Sequence, residues 1–126
     1  MTELLLEVKP KKVLEVGTGS GYQTAVLSQL VDEIYSVERI KALLDKAKQK
    51  AELLRIRNVR FLHADGGLGY EKQGPFDGIL SAAAPQHIPE QLKNQLAVGG
   101  RLVLPVGGDK QFLYVVDRTE NGFVER

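Results

Sequence analysis

The chain has 126 residues, with 17 lysines and arginines against 16 acids, a net charge of +1, no cysteine and two separated histidines. That length holds one domain able to bury roughly two thirds of its unfolded surface without staples. The inventory excludes a disulfide framework and a structural metal cage, and the charge balance leaves no footprint for nucleic acid or an anionic membrane. No apolar run approaches the ~20 residues of a membrane span, the N-terminus lacks a signal-peptide layout, and the absence of cysteine fits a reducing, cytoplasmic setting.

Residues 2–8 carry Leu4, Leu5, Leu6 and Val8 ahead of Pro10, which predicts the last turns of a helix. The run Val-Leu-Glu-Val at 13–16 then breaks into Gly17, Gly19 and Gly21 at alternate positions, and a helix-like segment follows, so the reading is strand, tight loop, helix. That helix spans 22–31, with Ala25, Val26, Gln29 and Leu30 at helical spacing. A second strand at 34–37 ends on Glu38. The segment 41–55 is an amphipathic helix, with Leu43, Leu44, Ala47, Ala51 and Leu54 on one face and lysines 41, 46, 48 and 50 on a solvated face. Strands follow at 59–63 and 76–81, the first leading into Ala64, Asp65 and Gly66, the second into the small residues Ala82, Ala83, Ala84 and Pro85. Pro89 opens a helix carrying Leu92 and Leu96, closed by Gly99 and Gly100. Strands at 101–106 and 112–116 precede a turn at 117–122. Alternation of strands and helices at this spacing predicts an α/β fold: a doubly wound, mostly parallel sheet with helices on both faces, in a single domain.

The glycine loop is built for a ligand, because glycines at this spacing allow positive φ and close backbone approach while the next helix turns its first N–H groups the same way. A dinucleotide fingerprint wants glycine at position 22, where this chain has Tyr22, and a phosphate-cradling P-loop needs a Gly-Lys-Ser/Thr ending that is absent. Glu38 lies 21 residues beyond Gly17, close to the ~20-residue offset at which an acid accepts hydrogen bonds from ribose hydroxyls. Asp65, at the carboxyl end of a strand, is a further candidate ligand, and Asp-Gly there reads equally as a turn. The remaining pattern, Glu-x-Gly-x-Gly-x-Gly with Glu15 two residues before the first glycine, resembles motif I of the Rossmann-like S-adenosylmethionine (AdoMet) methyltransferases.

Further segments make the resemblance specific. Val-Leu-Glu-Val-Gly-Thr-Gly-Ser-Gly-Tyr at 13–22, Tyr-Ser-Val-Glu-Arg at 35–39, Ala-Asp-Gly-Gly at 64–67, Ala-Ala-Ala-Pro at 82–85 and Gln-Leu-Ala-Val-Gly-Gly-Arg-Leu-Val-Leu-Pro-Val-Gly at 95–107 are similar to the protein-L-isoaspartate O-methyltransferase family. The resemblance implies AdoMet as cofactor and methyl transfer to the carboxylate of isoaspartyl residues in damaged proteins. It implies that Glu15, Gly17, Thr18, Gly19, Ser20 and Gly21 hold the methionine part, Glu38 and Arg39 flank the ribose and adenine, Ala64 and Asp65 contact the base, and Gln111 lies near the cofactor. It implies neither a metal nor a general base, since the isoaspartyl carboxylate is already anionic at neutral pH. His63 and His87 are accordingly not expected to be catalytic, although His87 sits where a substrate contact is open. Relative to the family pattern, an upstream substrate-binding segment and a finishing strand are missing. The expectation is therefore a core domain that binds cofactor weakly, methylates poorly by itself, and self-associates through apolar surface at Leu4 to Val8 and an uncovered sheet edge at residues 112–116. A methyltransferase for another substrate and a catalytically silent AdoMet-binding module are the alternatives.

Overall fold

The computed structural model describes residues 2–82, 87–107 and 109–126. Strands form where the β-branched and apolar runs lie: β1 (Lys12–Val16), β2 (Glu33–Glu38), β3 (Val59–His63), β4 (Phe76–Ser81), β5 (Leu96–Val106), β6 (Phe112–Thr119) and β7 (Gly122–Glu125). The helices are α1 (Thr2–Leu6), α2 (Tyr22–Ser28), α3 (Lys41–Leu53) and α4 (Glu90–Asn94), with 3₁₀ turns at Gly66–Leu68 and Glu71–Gln73. Among the described residues the strands make one sheet in the order β3-β2-β1-β4-β5-β6-β7. The first five are parallel, and β6 and β7 are antiparallel additions.

Helices cover both faces, as the alternating pattern predicts. On one face Leu5 of α1 and Leu27 of α2 pack with Val13, Val31, Ile34, Leu80 and Val103. On the other, Leu92 of α4 joins Leu14, Val37, Phe76, Ile79 and Leu102, with Tyr70 packed against them. The chain travels outward from β1 through β2 to β3 and returns to β4 on the opposite side of β1. That reversal is the topological switch point at which open α/β sheets gather their ligands, outside the carboxyl ends of the strands.

Several expectations are corrected. In α2 the periodicity of Ala25, Val26, Gln29 and Leu30 predicts the buried face, yet the core takes Thr24 and Leu27, while Val26 is 38% and Leu30 51% exposed. Thr24 is drawn inward by a hydroxyl bond to a buried carboxylate, a reason that hydrophobic periodicity does not register. Leu54 of the predicted α3 face is likewise exposed, because the helix ends at Leu53, while Leu44, Ala47 and Ala51 are buried. The helix after Pro89 stops at Asn94, and Leu96 starts β5 instead of continuing it; the β4–β5 register shifts between Phe76 and Gly78, and Gly99, with φ +85°, absorbs the irregularity.

At the C-terminal side, the predicted turn at 117–122 is shorter: β6 continues to Thr119 and β7 pairs back on residues 116–119, with Arg126 bonded to Val115, so of the edge expected at 112–116 only residues 112–114 stay uncovered. The N-terminal leucines do not form an open apolar surface either, since Leu5 is 0% exposed and Leu4 and Leu6 pack against the same cluster. Both surfaces offered for self-association are thus covered in part by the chain itself.

Candidate functional site

Parallel register brings three strand ends to one level, since Val16 pairs with Val37 and Glu38 with His63. There Val16, Gly17, Val37, Glu38, Arg39, Asp65 and Gly66 line a cleft of ≈ 260 Å³. Gly17, Glu38, Arg39 and Asp65, singled out separately along the sequence, therefore meet in one concavity.

The loop takes its shape from the three glycines, with φ of +91° at Gly17, +57° at Gly19 and +87° at Gly21, all in the region that favours glycine. Its amides mostly turn inward. Gly17 and Thr18 N–H both donate to the Val37 carbonyl (2.8 and 3.3 Å), Gly21 N–H to the Thr18 carbonyl (3.0 Å), and Gly19 N–H to Glu38 Oε1 (2.9 Å). These amides chiefly fasten the loop to β2. The second and third glycines also differ in surroundings: a Cβ on Gly21 would lie 3.1 Å from the Ala47 Cβ, whereas one on Gly19 would meet nothing within 4 Å. Gly21 is needed for helix packing, and Gly19 faces open space.

Glu38 is 7% exposed and uses its second oxygen as well, accepting from Ile40 N–H at 3.0 Å. It is at once a wall of the cleft and a clamp on the loop. Each of its oxygens retains lone-pair capacity for a hydroxyl donor. Glu15, by contrast, does not reach the cleft: it is 1% exposed, beneath the loop. Its Oε1 accepts from the Thr24 hydroxyl and, at 2.6 Å, from the Ser36 hydroxyl, while its Oε2 is buried without a hydrogen-bond partner among the described residues. Burial pushes the Glu15 carboxyl above the usual carboxylate range; hydrogen bonds from Ser36 and Thr24 oppose this only in part, and the nearby charge of Glu38 adds to the rise. Thr18 is also buried, its hydroxyl paired with that of Ser36 at 2.5 Å.

The other predicted site residues are more scattered. Ser20 is exposed at the loop tip, and Ala64 is half-buried with its N–H bonded to the Glu38 carbonyl (3.1 Å). Gln111 is exposed just before β6, a strand that β4 and β5 separate from β1, and it is not part of the cleft lining. His63 is exposed, its Nε2 2.9 Å from the Arg39 carbonyl oxygen, and His87 is exposed. Ala83, Ala84 and Pro85, expected to leave space beside the loop, lie outside the described residues. Ser36 and Thr24 are the site residues that sequence reading misses. A polar residue inside an otherwise buried strand, two positions before Glu38, is the signal for Ser36.

The strand order, the switch point and a glycine loop clamped by an acid at the end of β2 define a Rossmann-like methyltransferase core. The protein-L-isoaspartate(D-aspartate) O-methyltransferase family matches over residues 1–126. A protein-L-isoaspartate O-methyltransferase of Marinobacter nauticus is 57% identical over 123 residues, which are 98% of this chain and 56% of that protein. A solved protein-L-isoaspartate O-methyltransferase superposes with a TM-score of 0.88 at 31% identity, covering 98% of this chain and 42% of that one. A Plasmodium falciparum protein described as a beta-aspartate methyltransferase, solved in complex with S-adenosyl-L-homocysteine (SAH), superposes with a TM-score of 0.84 at 27% identity over 98% of this chain and 65% of that one. The chain belongs to the protein-L-isoaspartate(D-aspartate) O-methyltransferase family. It spans a little over half the length of the curated relatives it matches. Among the described residues, no helix is long and apolar enough to cross a membrane, and no group of three or more potential ligands is placed to hold a metal ion.

Proposed function

We propose that the cleft at the carboxyl ends of β1, β2 and β3 holds AdoMet, and that the protein uses it to methylate the carboxylate of isoaspartyl residues in other proteins. The observation that carries the reading is the meeting of Gly17, Glu38, Arg39 and Asp65 in one cleft at the level of the glycine loop. The residues suit the group: two carboxylates line the cleft and can accept from hydroxyl and amine donors, Gly19 leaves room for close approach, and a buried Glu15 oxygen without a partner among the described residues puts acceptor character beneath the loop. The family and the SAH-bound relative support the same reading.

In this reading the loop 17–21 takes the methionine part, Glu38 and Arg39 flank the ribose and adenine, and Ala64 and Asp65 contact the base. Glu15 acts from beneath the loop, and Gln111, just before β6 and outside the cleft lining, is the weakest member of the set. AdoMet, when bound, supplies an electrophilic methyl group on a sulfonium. The chain's task is then to hold and orient, because an isoaspartyl carboxylate is anionic at neutral pH and needs no base to become a nucleophile. Neither histidine is among the residues that line the cleft. The cysteine-free composition accords with action in a reducing compartment such as the cytoplasm.

Calorimetry with SAH and with NAD tests the cofactor reading, and methyl transfer to an isoaspartyl peptide, beside the same peptide with normal aspartate, tests the substrate reading with a protein of the relatives' full length. Binding of SAH but not NAD, with transfer only to the isoaspartyl peptide, is expected. SAH binding without such transfer would redirect the substrate assignment, and no SAH binding would overturn the cofactor assignment.

A further inference from the structure

Four side chains beneath the loop form one hydrogen-bonded chain that crosses three elements. Glu15 comes from β1, Ser36 from β2 and Thr24 from α2, while Thr18 belongs to the glycine loop. Its direction follows from donor counting. Glu15 Oε1 accepts from both Ser36 and Thr24, so the single Ser36 hydroxyl hydrogen is committed to the carboxylate. In the 2.5 Å Thr18–Ser36 pair, Thr18 must therefore be the donor. The chain runs Thr18 to Ser36 to Glu15, with Thr24 converging on the same oxygen from the helix.

All four residues are at most 4% exposed, so water does not substitute for a missing member. Four buried polar side chains in one layer are costly unless satisfied, and a strand-and-helix core of this size is easily built without them. The arrangement points to a use beyond packing. We propose that Thr18, Ser36 and Thr24 are positioning residues whose hydroxyls tie the glycine loop to Glu15, so that the loop is held for the cofactor by an acceptor that the cofactor itself does not cover. This rests on the AdoMet reading of the cleft.

One consequence is specific to such a chain. Glu15 Oε2 has no hydrogen-bond partner among the described residues, and an ionised Glu15 puts a buried negative charge under the loop. A cation arriving in the cleft favours that charge, and by linkage a proton on Glu15 opposes the cation. The groups packed on Glu15 from α2, β2 and β4 are neutral, namely Thr24, Ser36 and the in-register Leu80; the charged group that acts on it is Glu38 at the end of β2. The affinity for AdoMet, which carries both an ammonium and a sulfonium, should therefore fall as pH drops through the titration of Glu15, above the ordinary carboxylate range. The uncharged thioether of SAH should make its affinity fall less.

The test measures AdoMet and SAH affinity by calorimetry from pH 5 to 8 for the wild type, Ser36→Ala, Thr24→Val, Thr24→Ser and Glu15→Gln, together with denaturant midpoints of the unliganded proteins over the same range. Ser36→Ala and Thr24→Val remove hydrogen bonds that favour the ionised carboxyl, so each should weaken AdoMet binding roughly tenfold at pH 7 and move the pH break upward. Thr24→Ser should restore both values, and Glu15→Gln should abolish the break. A tenfold loss with the break unmoved would mean that the hydroxyls serve packing alone and would overturn the proposal, as would wild-type affinity in Ser36→Ala. If the wild type binds neither ligand at any pH, the cofactor reading fails; the denaturant midpoints then still decide whether the hydroxyl chain sets the Glu15 titration. Should Ser36→Ala not fold, Thr24→Val against Thr24→Ser decides the matter.

Discussion

Glu38 does two jobs with one carboxylate, and substitutions can separate them. It accepts the Gly19 and Ile40 amides, so Glu38→Ala removes both the expected ribose contact and the clamp on the loop. Affinity for SAH should fall by about 1–3 kcal/mol by calorimetry, each part being a hydrogen bond to a charged group. Unchanged affinity would exclude Glu38 from the site. The glycines give a second contrast. Gly19→Val points a branched side chain into open space from a left-handed backbone, so it should abolish binding while costing about 1–2 kcal/mol of stability. Gly21→Ala has the opposite balance: its Cβ would press on Ala47 at 3.1 Å with φ at +87°, so about 1–3 kcal/mol of stability should go, read by denaturant titration. If Gly19→Val still bound SAH, the loop would be no more than a turn.

At the scale of elements, α2 shows where hydrophobic periodicity misleads. Leu27 is 0% exposed in the core and Leu30 lies on the outer face, so Leu27→Ala should cost about 2–5 kcal/mol and Leu30→Ala about 0.5 kcal/mol or less in denaturant midpoints. Equal losses would contradict the packing. The sequence placed β1, β2 and β4 well because each is a short, largely apolar run, and strands buried on both faces leave little ambiguity. It placed Glu38 and Asp65 because a parallel register carries strand ends to one level. Three things were not legible. The rotation of α2 depends on Thr24 meeting a buried Glu15, a contact between residues on different elements. The inward turn of the loop amides depends on the Val37 carbonyl lying alongside. The β6–β7 hairpin turns at Glu120 and Asn121, and the following strand of four residues is too short to show periodicity.

Across the whole molecule, Arg101 of β5 joins the two ends of the chain. Its guanidinium donates to Asp117 (2.6 and 3.2 Å), to Glu7 (2.7 Å) and to the Leu4 carbonyl (2.9 Å), while Arg126 meets Asp117 at 2.7 Å. Burial pushes the Asp117 carboxyl up, but the hydrogen bonds and charges of Arg101 and Arg126 outweigh it and hold the group below the ordinary aspartate value. A depressed folded value contributes stability that is present above the unfolded value and is lost as pH falls through the folded one. Asp117→Asn should therefore be less stable than the wild type at neutral pH, with the difference closing on acidification below about pH 4, followed by denaturant midpoints. A difference that stayed constant with pH would mean that the pair contributes through shape, not charge. The parallel register brings the ends of β1, β2 and β3 together, and this meeting point is proposed as the cofactor site. Titrating the isotopically labelled chain with SAH and following each backbone amide by NMR tests it most directly. Saturable shifts concentrated on Gly17, Gly19, Glu38, Arg39, Asp65 and Gly66 are expected; no shifts, or shifts centred instead on the outer face of α2 around Val26 and Leu30, would contradict a cofactor site there.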